Sequence, residues 1–394
     1  MEKIFRFAPA LCILFGLSAC LSEPLSRNCV RILFLLFFAM LWKKKFSLRD
    51  FAPYTKILFL MAIFVAWLII SYVEGGMSVE LSYHGVEWIV FSHNMIIFLL
   101  FTVMVREEKI LRGILIALAI SLMIDNFHVF WQAAQGVERP ITFLHGSVMQ
   151  STLIYLILLP TFLVLCLSEK IPAGKIFYGI IFVTSLVACI MINTRGAWLD
   201  LAIVLPVVIA CHVRNRRKFL AAMLIFVVAG GIFLSLSPRT SQRLQTIASA
   251  GSEQSVTERF LMWRSAIDAI IENPLTGVGF GNYEAAYQEK YMLDTAKERS
   301  QGHAHNIYLQ LWAEAGLPGL IFLCGLFGYI LRWSWLRVKK NFYALIIFAA
   351  TLDFLLYGMT DYALSAVGAM RIYWLVFAVC VVGIKLTERK NFSL

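Results

Sequence analysis

Three residues have the types and settings that could do chemistry: His305, Arg195 and Arg259. A helix is expected to begin near His305 and to end before Gly316, with Pro318 opening the next apolar block. At a helix N-terminus the dipole disfavours a protonated imidazole. A neutral ring there can accept a proton, as a general base must. A hydrogen-bonded structural histidine suits the same position, and position alone leaves both readings open. His303 stands two residues earlier. Two histidines one residue apart could begin a metal site, but no carboxylate or cysteine stands at ligand spacing, so no metal is expected.

Arg195 sits in Thr194-Arg195-Gly196, between two apolar blocks. A charge so near hydrocarbon is costly unless it lines a cavity or binds something. Arginine keeps its charge and can grip phosphate oxygens with two parallel bonds; an arginine snorkelling from a helix end is the alternative. Arg259 and Arg264 share a segment expected to be helical. Five residues of helix turn about 140°, so the two cannot address one ligand atom. Arg264 stands four before Asp268, a spacing for a surface ion pair, whereas Arg259 has no acidic residue three or four positions away. Arg264, Trp263, His303 and Asn306 complete the set expected to contact substrate.

Other signals are weaker. The Gly277-Val278-Gly279-Phe280-Gly281 run lacks the Lys-Ser/Thr of a phosphate-binding loop and reads as a turn. Asp125, Asp200 and Asp353 lie in or beside apolar blocks, where helix capping or pairing is expected; Asp361 faces outward as a second-tier candidate.

These residues must be held by a membrane protein. Of 394 residues 60% are hydrophobic and 15% charged, and the mean hydropathy is +0.76. That is too apolar for a soluble domain. The blocks give about twelve spans: 5–22, 29–42, 54–73, 85–105, 110–131, 147–168, 175–193, 197–213, 218–236, 318–336, 342–360 and 368–386. No block alternates with period two, so an all-α polytopic fold is expected rather than a barrel. The net charge of +11 could suggest nucleic acid, but the basic residues collect in alternate short loops (43–50, 106–112, 214–218 and 337–340), the positive-inside pattern. Both termini are then cytoplasmic, and one large loop faces outward. The chain divides into helices 1–9 (1–236), that loop with its short helices (237–317), and helices 10–12 with a tail (318–394), as one integrated membrane domain. The eight cysteines form no CxxC pair, so neither a disulfide framework nor a zinc site is supported. Lys3 and Arg6 before an apolar run ending Leu17-Ser18-Ala19-Cys20 would suit a lipoprotein cleavage site; the same run suits a first span, which is the reading taken.

Within the loop, Ser255 and Glu258 fit a capping box, with a helix from about Val256 to Glu272 stopped by Asn273-Pro274. Its apolar stripe (Phe260, Trp263, Ile267, Ile270, Ile271) should pack on the membrane domain or its interface.

At these residues the chain resembles the O-antigen ligase family, within the wider superfamily of O-antigen ligases and polymerases. The family's motif is His, then Asn/Ser/Gln, nine residues, Gly, two residues, Gly. Here it reads His305-Asn306, residues 307–315, Gly316, Leu317-Pro318 and Gly319. Arg195 looks like the family's arginine at the outer end of a middle span, and Arg259 like its arginine on the loop helix. The resemblance implies a glycosyltransferase of the bacterial inner membrane with its site facing the periplasm. The implied donor is a glycan on undecaprenyl diphosphate, and the implied acceptor a sugar hydroxyl on lipid A–core, as in lipopolysaccharide biosynthesis. It implies inverting transfer with no cofactor, nucleotide or metal. Arg195 and Arg259 would hold the diphosphate and His305 would take the hydroxyl proton. The motif does not separate a ligase from an O-antigen polymerase or a protein O-oligosaccharyltransferase. A transporter of lipid-linked sugar would call for repeated halves, which the sequence lacks.

Overall fold

The computed structural model describes residues 7–76, 84–144, 147–213, 215, 217, 254–297 and 302–392. Among them every long element is helical and no strand occurs. The first helices are α1 (Ala8–Ser18), α2 (Glu23–Trp42), α3 (Thr55–Glu74), α4 (His84–Met104) and α5 (Glu108–Ala134). Then follow α6 (Val148–Ser168), α7 (Pro172–Met191) and α8 (Arg195–His212). The segment between α8 and the last helices contributes α9 (Gln254–Glu272) and α10 (Tyr283–Ala286). The chain closes with α11 (Ile307–Trp335), α12 (Phe342–Tyr357) and α13 (Val367–Phe392).

Among the described residues, eight helices are long and apolar enough to cross a membrane, and Ala8–Ser18, Asn94–Met104 and Phe342–Tyr357 are shorter apolar segments. Eleven of the expected spans thus coincide with helices; the span at 218–236 lies outside the described residues. Two helices form the centre: the most apolar window of α6 is 83% buried and that of α13 94%, against 28% for α7. Peripheral helices turn large apolar side chains outward, among them Leu35, Phe59, Ile176 and Val183. Such a surface suits hydrocarbon as its solvent. Helices α1 to α8 alternate in direction, as do α11 to α13, so connections gather at two ends. One end holds 135–144, 192–194, 302–306 and 358–366. The other holds 43–54, 105–107, 336–341 and the end of α13.

The motif glycine has a backbone reason to be there. Gly316 breaks α11 with φ 67° and ψ −176°, a conformation that favours glycine. A Cβ at this position would stand 2.0 Å from the Leu275 carbonyl oxygen. The glycine run packs against the kink, where the Val278 N–H donates to the Ala313 carbonyl at 2.8 Å and the Gly279 N–H to Glu314 at 3.0 Å. From α3, Trp67 Nε1 donates to the Ala315 carbonyl at 2.7 Å. The run is therefore a turn, as expected, and its job is to seat the kink.

The helix α9 departs from expectation in which residues it buries. Over Gln254–Glu272, Glu258 accepts from the Lys297 N–H at 3.2 Å; the capping role of Ser255 lies outside the described side chains. Its buried stripe is Met262, Ala266, Ala269 and Ile270, packed with Tyr283, Tyr287 and Ala313. Phe260, Ile267 and Ile271 are instead exposed at 59%, 44% and 70%. Ile270 of the expected stripe is buried, with Met262, beside the small Ala266 and Ala269. Asp125 takes the Phe143 N–H at 2.9 Å, but buried Asp353 neither caps nor pairs: both its oxygens lack a hydrogen-bond partner among the described residues.

Candidate active site

The site lies where α6, α8, α9, α11 and α12 meet at one end of the bundle. His305 comes just before α11, not within it. Its φ of 47° is left-handed, strained for a non-glycine residue. Asn306 is the cap: its Oδ1 accepts from the Tyr308 N–H at 2.9 Å and the Leu309 N–H at 3.1 Å, satisfying two helix-end donors. Its Nδ2 donates to the Met359 carbonyl at 3.1 Å, and the Ile307 N–H reaches the Gly358 carbonyl at 2.7 Å. The start of α11 is thereby tied to the connection after α12, which carries Asp361.

That tie brings Asp361 Oδ1 to 2.9 Å from His305 Nδ1. The Tyr357 hydroxyl lies 3.2 Å from Asp361 Oδ2 and 3.0 Å from the Met149 carbonyl. Burial pushes the Asp361 carboxyl up, but the hydrogen bond and charge of His305, with smaller help from His303 and the Tyr362 N–H, hold it below the usual carboxylate range. With Nδ1 donating to this carboxylate, Nε2 of His305 is the nitrogen left to accept a proton. His303 crosses His305 edge-on, with ring centroids 4.3 Å apart. Burial first, and then the neighbouring His305, lower its pKa.

Two cavities adjoin here. One of about 70 Å³ is lined by His303, His305, Asp361 and Tyr357. The other, about 240 Å³, takes Arg139, Arg195 and Arg259 from three separate elements. Met149 and Tyr357 line both. The N-terminus of α8 opens beside the arginines, with no acidic residue in its first turn. Three guanidiniums and a helix N-terminus around one space make an anion site by charge and by dipole.

The structure therefore brings His305, His303, Arg195 and Arg259 together. It does not bring in Trp263 or Arg264: neither lines either of these two cavities, Arg264 is exposed, and among the described residues it forms no ion pair with Asp268. Asn306 has both side-chain groups committed to backbone, so its role is to position His305. Sequence reasoning does not reach Arg139 or Tyr357, and it ranks Asp361 too low. Arg139, in Glu138-Arg139-Pro140, has only its place in a loop between two apolar blocks as a signal. The sequence ground against a metal also falls, because the fold supplies a carboxylate: donor atoms of His303, His305 and Asp361 lie within 4.8 Å of one another.

Comparison with known proteins covers the stretch that holds these residues. A family model described as O-Antigen ligase matches residues 180–324, the stretch holding Arg195, Arg259 and His305. An O-antigen ligase of Salmonella typhimurium is 24% identical over 317 residues, 76% of each chain. An uncharacterised protein of Haemophilus influenzae is 24% identical over 263 residues, 63% of this chain and 66% of its own. The exopolysaccharide production protein ExoQ of Rhizobium meliloti is 26% identical over 146 residues, 33% of this chain and 30% of its own. The chain thus spans just under two thirds of the Haemophilus relative and less of ExoQ. Residues 180–324 of the chain thus match the O-antigen ligase family model, and its relatives at low identity include an O-antigen ligase and an exopolysaccharide production protein.

Proposed function

We propose that the protein transfers O-antigen polysaccharide from undecaprenyl diphosphate to a sugar hydroxyl of lipid A–core. The reaction would run at the periplasmic face of a bacterial inner membrane, with both termini cytoplasmic. The observation that carries this reading is the sharing of Met149 and Tyr357 by the arginine cavity and the histidine cavity. An anion held in the first stands beside a proton acceptor in the second.

In this reading the acceptor hydroxyl attacks the anomeric carbon of the donor sugar. A new C–O bond forms on the face opposite the breaking bond to the diphosphate, so the configuration inverts. The hydroxyl proton goes to Nε2 of His305. Asp361 fixes the ring's tautomer and orientation and stabilises the imidazolium, while remaining a carboxylate itself. Negative charge grows on the departing diphosphate, and Arg139, Arg195 and Arg259 are fixed where it grows. Preorganised charge of this kind supplies most of the rate enhancement in many enzymes. Three guanidiniums can meet that charge without a metal, so none is assigned a step.

The test uses a host that lacks its own ligase but keeps its O-antigen polymerase. It receives the wild-type chain, His305→Ala or Arg195→Ala, with membrane insertion checked for each. A ladder on lipid A–core from the wild type alone is expected. Full-rate transfer by either inserted variant would remove the basis of the reading. Lipid-linked long chains that the wild type never transfers would point to another acceptor, and a polymerase-deficient host then separates ligation from polymerisation.

A further inference from the structure

The opposite end of the bundle holds a second charged cavity that the transfer reading does not use. It measures about 200 Å³ and is lined by Lys45, Arg106, Lys385 and Arg389, with Asp50 as the one carboxylate of its described lining. The cations converge from the loop after α2, the connection after α4 and the last turns of α13. Asp50 Oδ2 is turned to the Ser47 backbone N–H at 3.0 Å, closing a capping box. On the same end Arg112 and Lys390 are both bonded to Glu108. Positive charge is thus balanced beside the cavity and in excess within it.

Depth and lining say what kind of anion fits. Ala366 lines the histidine cavity, and Lys385 lies nineteen residues further along, almost all of them in α13. At 1.5 Å per residue that is about 30 Å, the thickness of a bilayer's hydrocarbon core. The cavity therefore sits at the far membrane surface. Its apolar wall, Phe46, Val382 and Leu386, begins where acyl chains would begin. The volume is below the ~300–1,000 Å³ of pockets that engulf a whole small molecule. It suits a headgroup whose tails stay in the bilayer.

We propose that this cavity binds the phosphate headgroup of an anionic phospholipid. Basic recesses between membrane helices on the cytoplasmic side recognise such headgroups by charge, and each surface Lys or Arg contributes about a fivefold gain in binding. The proposal goes beyond the transfer reading, and its readout needs no transfer activity.

The test is lipid retention by the purified full-length chain after exchange into mixed phosphatidylglycerol–phosphatidylcholine vesicles and detergent extraction, measured by mass spectrometry. The wild type is expected to retain phosphatidylglycerol at least about tenfold over phosphatidylcholine. Lys385→Gln/Arg389→Gln should fall below about twofold, and the charge-preserving Lys385→Arg/Arg389→Lys should retain the preference. Lys339→Gln/Lys340→Gln removes the same charge from exposed residues of the same end and should behave as wild type. If the buried-edge Lys385 variant does not fold, Arg389→Gln alone should still lose about fivefold. Equal retention of both lipids by the wild type, or equal loss in the two Lys/Arg→Gln pairs, overturns the proposal. Displacement of the lipid by millimolar inorganic phosphate would overturn the assignment to a lipid.

Discussion

The two ends of α13 use positive charge differently. Beside its first turn, Arg139, Arg195 and Arg259 are all half-buried, converge on a cavity with no carboxylate in its described lining, and adjoin a histidine–carboxylate pair. Beside its last turns the cations mix lysine with arginine, three of the four are exposed, and no proton acceptor other than Asp50 is in the described lining. Fixed, desolvated arginines can stabilise charge that appears during a reaction, because they need no reorganisation when it forms. Exposed cations such as Lys45, Arg106 and Arg389 hold charge that is already present, as a headgroup's is. The contrast separates a place for chemistry from a place for binding.

The cut with the largest effect removes the proton acceptor. His305→Ala should lower kcat by up to about 10⁴-fold in a purified transfer assay, with membrane insertion intact. Next come the arginines. Arg195→Ala and Arg259→Ala should each cost about 10²–10³-fold in kcat, and Arg139→Ala should fall in the same range if it addresses the same anion. Lysine at these positions should restore only part, because it loses the two-bond grip. An Arg139→Ala protein with wild-type kcat would reduce the cavity to two working cations.

Asp361→Asn probes positioning rather than contact. It should lower kcat by about 10²-fold with KM little changed, less than the ~10⁴ of a protease triad. His305 is also held by its own backbone turn and by the Asn306 cap. The direction of the Asp361 shift fixes the pH behaviour. A carboxyl held below its usual range contributes stability at pH above its unfolded value and loses it only as pH falls through the lower folded value. Asp361 therefore stays ionised through the neutral range, and only acid below the usual carboxylate range should protonate it and loosen its hold on His305. A loss of wild-type activity in that acid range that persists unchanged in Asp361→Asn would take the carboxylate out of the positioning role.

How much of this is legible in the sequence follows from which residues act locally. The spans, the kink at Gly316 and the turn at Gly277 can be read because each depends on its own stretch of chain. His305, Arg195 and Arg259 stand out because charge at the edge of hydrocarbon needs a reason, and because a motif marks the histidine. Asp361, Tyr357 and Arg139 act through contacts across the bundle: 56 residues separate His305 from Asp361, and nothing local records that distance closing. The stripe on α9 misleads because side-chain size is a poor guide to burial there. Close packing against α11 selects Ala266 and Ala269, and leaves Ile267 and Ile271 outside.

The cluster of His303, His305 and Asp361 calls for a chelator experiment, since three donor atoms this close could hold a divalent cation. Transfer is expected to continue within about twofold in EDTA, because the arginines already meet the diphosphate charge. Loss in EDTA with recovery on adding a divalent metal would turn the pair into a metal ligand set.

The smallest effect is expected one and a half turns along α9 from Arg259. Arg264 carries the same charge on the same helix, yet five residues rotate it about 140° away. It is exposed and lines neither cavity. If transfer depended on the general positive charge of this segment, Arg259→Ala and Arg264→Ala would cost alike, and both would weaken with salt. If it depends on a guanidinium fixed in the cavity, Arg264→Ala should stay within about twofold of wild type while Arg259→Ala loses two to three orders of magnitude. Equal losses in a side-by-side assay at two ionic strengths would make the first end of α13 resemble the second, a surface that attracts anions rather than one that acts on them.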